Sequence, residues 1–117
     1  MSRSPITTHV LDTSSGIPAK DIAITLSKFI GGAWLEIGTG TTNNDGRVTE
    51  WQAINDRKID IEHGTYKLVF NLAQYFEKQD LKVFYPSAEI TFCLSDDRHH
   101  HIPLLLSQHG YSTYRGS

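Results

Sequence analysis

The chain has 117 residues, 21% of them charged, with 11 basic against 13 acidic side chains and a formal net charge of −2. That length fits one domain spanning residues 1–117, with enough chain to bury a core without disulfide staples. The charge balance excludes the basic excess of a nucleic-acid binder, and no apolar run approaches the roughly 20 residues that a membrane helix needs.

The opening MSRSP has no apolar stretch behind Arg3, so no secretory leader is expected. The ending RGS is not a peroxisomal address, and the expected compartment is the cytoplasm. The first element is ITTHVLD (Ile6–Asp12), rich in β-branched residues and closed by the turn cluster TSSGIP. Residues 21–29 alternate, with Ile22, Ile24 and Leu26 on one side. Gly31-Gly32 marks a turn into a strand over 33–42. Asp45-Gly46, just ahead of Arg47, is a strong hairpin signal. Residues 64–70 place Tyr66, Leu68 and Phe70 on one face.

The period changes over 71–80. Leu72, Tyr75 and Phe76 follow helical spacing, and Asn71 is a candidate cap. Alternation returns over 87–95 with Ile90, Phe92 and Leu94 together, and HHHIPLLLS and YSTYR complete the set. About eight short strands and one short helix predict a mainly β fold, a two-sheet antiparallel β-sandwich, with a closed barrel as the alternative. Pro103 predicts that its strand lies at an edge, at a bulge, or begins nearby.

The lone Cys93 excludes an internal disulfide and a CxxC metal site, and reads as a small strand residue. Six histidines are the main chemical resource: His9, His63, His99, His100, His101 and His109. Strand parity puts His99 and His101 on one face and His100 on the other, so the triplet cannot act as three ligands of one metal while extended. His63 and His109 read as loop residues. Taken alone, His9 reads as a packing residue and Arg47 as a surface arginine. The tight turn before Arg47 nevertheless fixes its backbone, and its guanidinium suits a planar, carbonyl-rich ligand. Tyr111, Tyr114 and Arg115 have the composition of an interface strand. There is no phosphate-binding glycine loop and no nucleophile elbow. The residues therefore support a β-sandwich with a histidine–arginine site, and leave the substrate open.

The ending YSTYRGS resembles that of the 5-hydroxyisourate hydrolases, the enzymatic branch of the transthyretin-like family. THVLDTSSGIPA at 8–19, NNDGRV, FYPSAEITF and HHHIPLLLS resemble further blocks of the same family, in the same order, over nearly the whole chain. The resemblance implies a transthyretin-like sandwich of eight strands and a short helix. It also implies a homotetramer, a dimer of dimers, with active sites at the dimer–dimer interface. The implied reaction opens the lactam of 5-hydroxyisourate, a product of urate oxidation, to 2-oxo-4-hydroxy-4-carboxy-5-ureidoimidazoline on the way to allantoin, with no metal or other cofactor. Carried over, the catalytic residues are His9, Arg47, His101 and Ser117, with His9, Arg47 and Tyr114 binding substrate. Gln108-His109 stands where similar enzymes carry a proline and an aromatic, and His100 stands where an aromatic is common. Because His100 points away from His101, that replacement is expected to be tolerated. Competing expectations are a non-enzymatic transthyretin-like carrier of small ligands, a histidine metal site, and a plain interaction domain with an open edge strand.

Overall fold

The structure, a computed structural model, describes residues 4–116. Two five-stranded sheets enclose one apolar core. The first sheet contains β1 (Ile6–Asp12), β2 (Ile17–Pro18), β5 (Arg47–Val48), β9 (His100–Ser107) and β10 (Gly110–Thr113). The second has the order β6 (Gln52–Ala53), β4 (Ala33–Thr41), β3 (Ala23–Ile30), β7 (Gly64–Asn71), β8 (Ser87–Leu94). Alternation decides which face of each strand is buried. Ile6 and Val10 of β1 and Ile102, Leu104 and Leu106 of β9 meet Ile24 and Leu26 of β3 and Tyr66, Leu68 and Phe70 of β7. The expected mainly β sandwich is present: the strand expected after the Asp45-Gly46 turn is the short β5, while the two-residue β2 and β6 were too short for alternation to reveal.

One pairing departs from the expected antiparallel pattern. β1 and β9 run parallel, with Thr7 opposite His101 and His9 opposite Pro103. Parallel neighbours need a long crossover. Residues 13–99, most of the chain, lie between these two, and alternation carries no information about strand direction.

Pro103 also departs from expectation. It sits mid-strand in β9, which is flanked by β1 on one side and β10 on the other. The His100 amide donates to Pro5 on the β1 side, and the Gly116 amide donates to the His101 carbonyl on the opposite side. By alternation the nitrogen of Pro103 faces the β10 side, where it has no proton to donate. The ladder breaks there: β10 ends at Thr113, and pairing resumes only at the His101–Gly116 bridge. The Thr113 hydroxyl donates to the Pro103 carbonyl across the gap, at 2.7 Å.

The helix is shorter than the periodicity suggests. α1 covers Ala73–Glu77, and Asn71 ends β7 rather than capping the helix. Ladder pairing of Asn71 with both Ala23 and Ser87 takes precedence over capping. Gly31 and Gly32, both at positive φ, form the two-residue β3–β4 turn. The Asp45-Gly46 turn does form, but it crosses between sheets: β4 before it belongs to one and β5 after it to the other. The Asn43 side chain holds that turn by accepting the amides of Asp45 and Arg47. The unusual Gln108-His109 pair makes a two-residue turn between β9 and β10, closed by Ser107 against the Gly110 carbonyl.

Candidate active site

The outer face of the first sheet carries the candidate chemistry. On β1 the even residues Ile6 and Val10 enter the core, so Thr7 and His9 point outward. On β9 the odd residues point the same way, which puts His101 beside Thr7. β5 pairs with the other edge of β1 and sets Arg47 opposite His9, with Val48 turned into the core. Three further hydrogen bonds tie the Arg47 segment to β1: Val10 amide to Gly46, Ser4 amide to Thr49, and Trp51 Nε1 to Ile6. The position of Arg47 is therefore fixed by backbone, while its side chain stays exposed.

The His9 and His101 rings lie 6.4 Å apart between centroids, tilted by 35°. His9 is half-buried, and burial is the main reason its pKa lies below the usual histidine value; the adjacent Arg47 charge pushes the same way. The Asp45 carbonyl, hydrogen-bonded to the ring, and the Asp45 carboxylate oppose both. His9 is thus held neutral near pH 7, able to accept a proton. The Thr7 hydroxyl is 2.8 Å from His101 Nδ1 and 2.9 Å from His99 Nε2. His99 stacks beside His101 at 6.2 Å. Gly116 bridges to His101 and lies so close that a Cβ there would stand 2.6 Å from His101 Cδ2.

His9, Arg47 and His101 are therefore brought together. Tyr114 follows the end of β10, unpaired in the ladder and 57% exposed; it lines the cavity on the His100 side and is not brought beside His9 and Arg47. Ser117 lies outside the described residues. His100 takes the other face, as parity requires. It is 3% exposed, with Nδ1 against the Arg98 carbonyl and Nε2 unpartnered among the described residues. It lines a cavity of about 240 Å³ together with Ile90, Phe92, Ile102, Tyr114 and Arg115, away from His9. His63 pairs with Asp97, and His109 lies against Phe84. Thr7, Gly116 and the Asp45 carbonyl were not singled out from sequence. Parity would have found Thr7, two residues before His9. The other two depend on long-range pairing and turn geometry.

A pair of histidines beside an arginine, on an outer sheet face, defines the class: a transthyretin-like β-sandwich carrying a polar histidine–arginine cluster. Comparison with known proteins agrees. The family model described as "Transthyretin: HIUase/Transthyretin family" matches residues 6–116, and the chain belongs to that family. It is 41% identical to the 5-hydroxyisourate hydrolase of Mus musculus, over 97% of this chain and 96% of that one. Among solved structures it resembles the 5-hydroxyisourate hydrolase of Klebsiella pneumoniae, with TM-score 0.78, 32% identity, and 96% and 98% of the two chains covered. It also resembles sea bream transthyretin in complex with thyroxine, with TM-score 0.84, 28% identity, and 97% and 95% covered.

Proposed function

We propose that the chain is a 5-hydroxyisourate hydrolase of urate degradation, working as a single hydrolase domain. The observation that carries this reading is the convergence of His9, Arg47 and His101 on one face by backbone register. Hydrolysis of a lactam needs an activated water and a stabilised oxyanion. His9 and His101, acting as a pair, position a water and take its proton as the oxygen attacks the lactam carbonyl carbon. Arg47 orients the carbonyl-rich ring and offsets the negative charge that develops on the carbonyl oxygen. The C–N bond then breaks, and the proton returns to the departing ring nitrogen. Ser117 completes the polar surroundings. No metal or other cofactor takes part.

The face that carries these groups is open in one chain, and hydrolysis is favoured where bulk water is excluded. A homotetramer arranged as a dimer of dimers, with this face at the dimer–dimer interface, closes the site. The alternative, a carrier of small ligands, draws on the likeness to thyroxine-bound sea bream transthyretin. Two histidines and an arginine on the face fit a polar, hydrolysable substrate better than an apolar cargo.

The test uses freshly oxidised urate. Decay of 5-hydroxyisourate is followed with and without protein, because the substrate also hydrolyses alone. Acceleration over the background is expected. His9→Asn, Arg47→Ala and His101→Asn are each expected to lower kcat/KM by about 10²-fold or more. Three variants within about threefold of wild type would remove the assignment of these residues.

A further inference from the structure

The Thr7 hydroxyl sits between two imidazole nitrogens, His101 Nδ1 at 2.8 Å and His99 Nε2 at 2.9 Å. A hydroxyl has one proton to donate. Thr7 can therefore donate to one ring only; accepting from both would leave the proton of a side chain only 2% exposed with no acceptor among its described contacts, so it accepts from the other ring. The tautomers of the two histidines are coupled through it.

There are two settings. In the first, Thr7 donates to His99, and His101 donates its Nδ1 proton to Thr7. The lone pair of neutral His101 is then on Nε2, on the far side of the ring from Thr7, the nitrogen that the proposed reaction protonates. In the second, Thr7 donates to His101 Nδ1 and accepts from His99. Neutral His101 then carries its proton on Nε2 and can give it up. These settings match the two roles that a histidine must play in one turnover, base and then acid. Passage from the first to the second, after Nε2 has gained a proton, moves the Nδ1 proton to Thr7 and the Thr7 proton to His99. The proton count balances, and the positive charge ends on His99.

We propose that Thr7 and His99 form a positioning relay that sets the tautomer of His101. The proposal rests on the reading of His101 as a histidine of the hydrolytic site. The fold supports a built arrangement. Thr7 is directly opposite His101 in the parallel β1/β9 ladder, so backbone pairing sets the contact. Thr7 is 2% exposed, where water does not readily replace a lost partner. Its β-branched side chain has few χ1 choices, which keeps the hydroxyl between the rings. His99 and His101 share a face two residues apart, with planes 29° from parallel.

The test compares Thr7→Val, which keeps the shape and removes the hydroxyl, with Thr7→Ser, which keeps the hydroxyl, and with His99→Phe. Thr7→Val and His99→Phe are expected to lower kcat about tenfold or more with KM within about twofold, since tautomer control acts on the chemical step. Thr7→Ser is expected to recover most of the loss. The double variant is expected to be no slower than the slower single variant, because both changes cut one line. Ring ¹⁵N shifts of His101 are read in the same proteins and need no turnover: the balance between its two tautomers is expected to move in Thr7→Val and in His99→Phe. His99 lies at the rim, so His99→Phe carries the test if Thr7→Val fails to fold. Unchanged ¹⁵N shifts, or a folded Thr7→Val as fast as Thr7→Ser, would overturn the relay. Wild-type protein that failed to accelerate hydrolysis would overturn the proposed function instead, and the relay would then stand or fall on the ¹⁵N shifts.

Discussion

Arg47 stands directly across from His9 in the antiparallel β1/β5 pairing, and its charge adds to burial in holding His9 neutral. The guanidinium keeps a proton off its neighbour, and in the proposed reaction the same group would hold the substrate ring through two parallel hydrogen bonds.

The pH dependence follows from that pairing. A histidine whose folded pKa lies below the usual value of about 6.5 is neutral at pH 7, and protonation works against the fold. The unfolded chain binds the proton first as pH falls below about 6.5, so His9 makes stability decline from there until the folded ring is itself protonated. Activity that needs neutral His9 should hold to a pH below 6.5. Arg47→Gln removes the second cause and leaves the first, burial. The His9 pKa should therefore rise. An NMR titration of the His9 ring in both proteins measures this, and an unchanged or lower value in Arg47→Gln would contradict the stated cause.

Gly46 connects the turn to the site. It has φ +75°, and a Cβ there would run into the Val10 carbonyl oxygen of β1. Backbone cannot step aside as a side-chain tip can. Gly46→Ala should destabilise the protein by about 2–4 kcal/mol, combining left-handed strain with the clash. Because Arg47 is the next residue, kcat/KM should also fall in the protein that remains folded. Urea unfolding with an unchanged m-value, together with the hydrolysis assay, separates the two losses.

Local pattern carried much of this fold. Alternation identified the long strands, the Gly31-Gly32 turn was visible, and parity correctly separated His101 from His100. What alternation cannot carry is partner and direction. The β1/β9 parallel pair joins residues more than ninety positions apart, and only that pair places His101 beside Thr7. Pro103 was misread for the same reason: its missing proton is harmless because of where β10 stops. Asn71 shows a local cap preference yielding to two ladders. At the site, His9 and Arg47 were both unremarkable by themselves. The family resemblance singled them out, and their adjacency comes from a turn that changes sheets.

α1 is tied to the first sheet through Tyr75. Its hydroxyl donates to Asp12 Oδ2 at 2.7 Å, while Oδ1 accepts the amides of Ser14 and Ser15. Burial, reinforced by the Asp12 carboxylate, pushes the Tyr75 pKa up to about 12. The phenol therefore stays a donor throughout the neutral range. Tyr75→Phe leaves a buried carboxylate oxygen short of a partner and should cost about 1–3 kcal/mol. Since Asp12 lies beyond the site, kcat/KM should stay within about twofold. Denaturant midpoints and the hydrolysis assay check both halves, and a stability change below 0.5 kcal/mol, the size of a neutral surface substitution, would show that the bond contributes little.

Gly116 offers the sharpest separation of site from fold. A methyl group there would meet His101 at Cδ2 and Cγ of the ring and at Cβ, the nearest at 2.6 Å. Something must shift, and the choice is between the Gly116 backbone and the imidazole. The Gly116 amide is bonded to the His101 carbonyl, so the segment cannot simply swing away while the bridge lasts. Moving the ring disturbs its contact with Thr7, and misplacement by about 1 Å can cost on the order of 10²-fold in rate. Among the described residues the backbone around Gly116 has one bridge to β9, and it lies outside the apolar core, so global stability has little to lose. Gly116→Ala should lower kcat/KM by at least about tenfold while the unfolding free energy stays within about 0.5 kcal/mol of wild type. Stopped-flow hydrolysis and urea unfolding on the same preparation test it. Full activity in a stable Gly116→Ala protein would mean that His101 tolerates displacement, and that its position next to Gly116 is incidental to the chemistry.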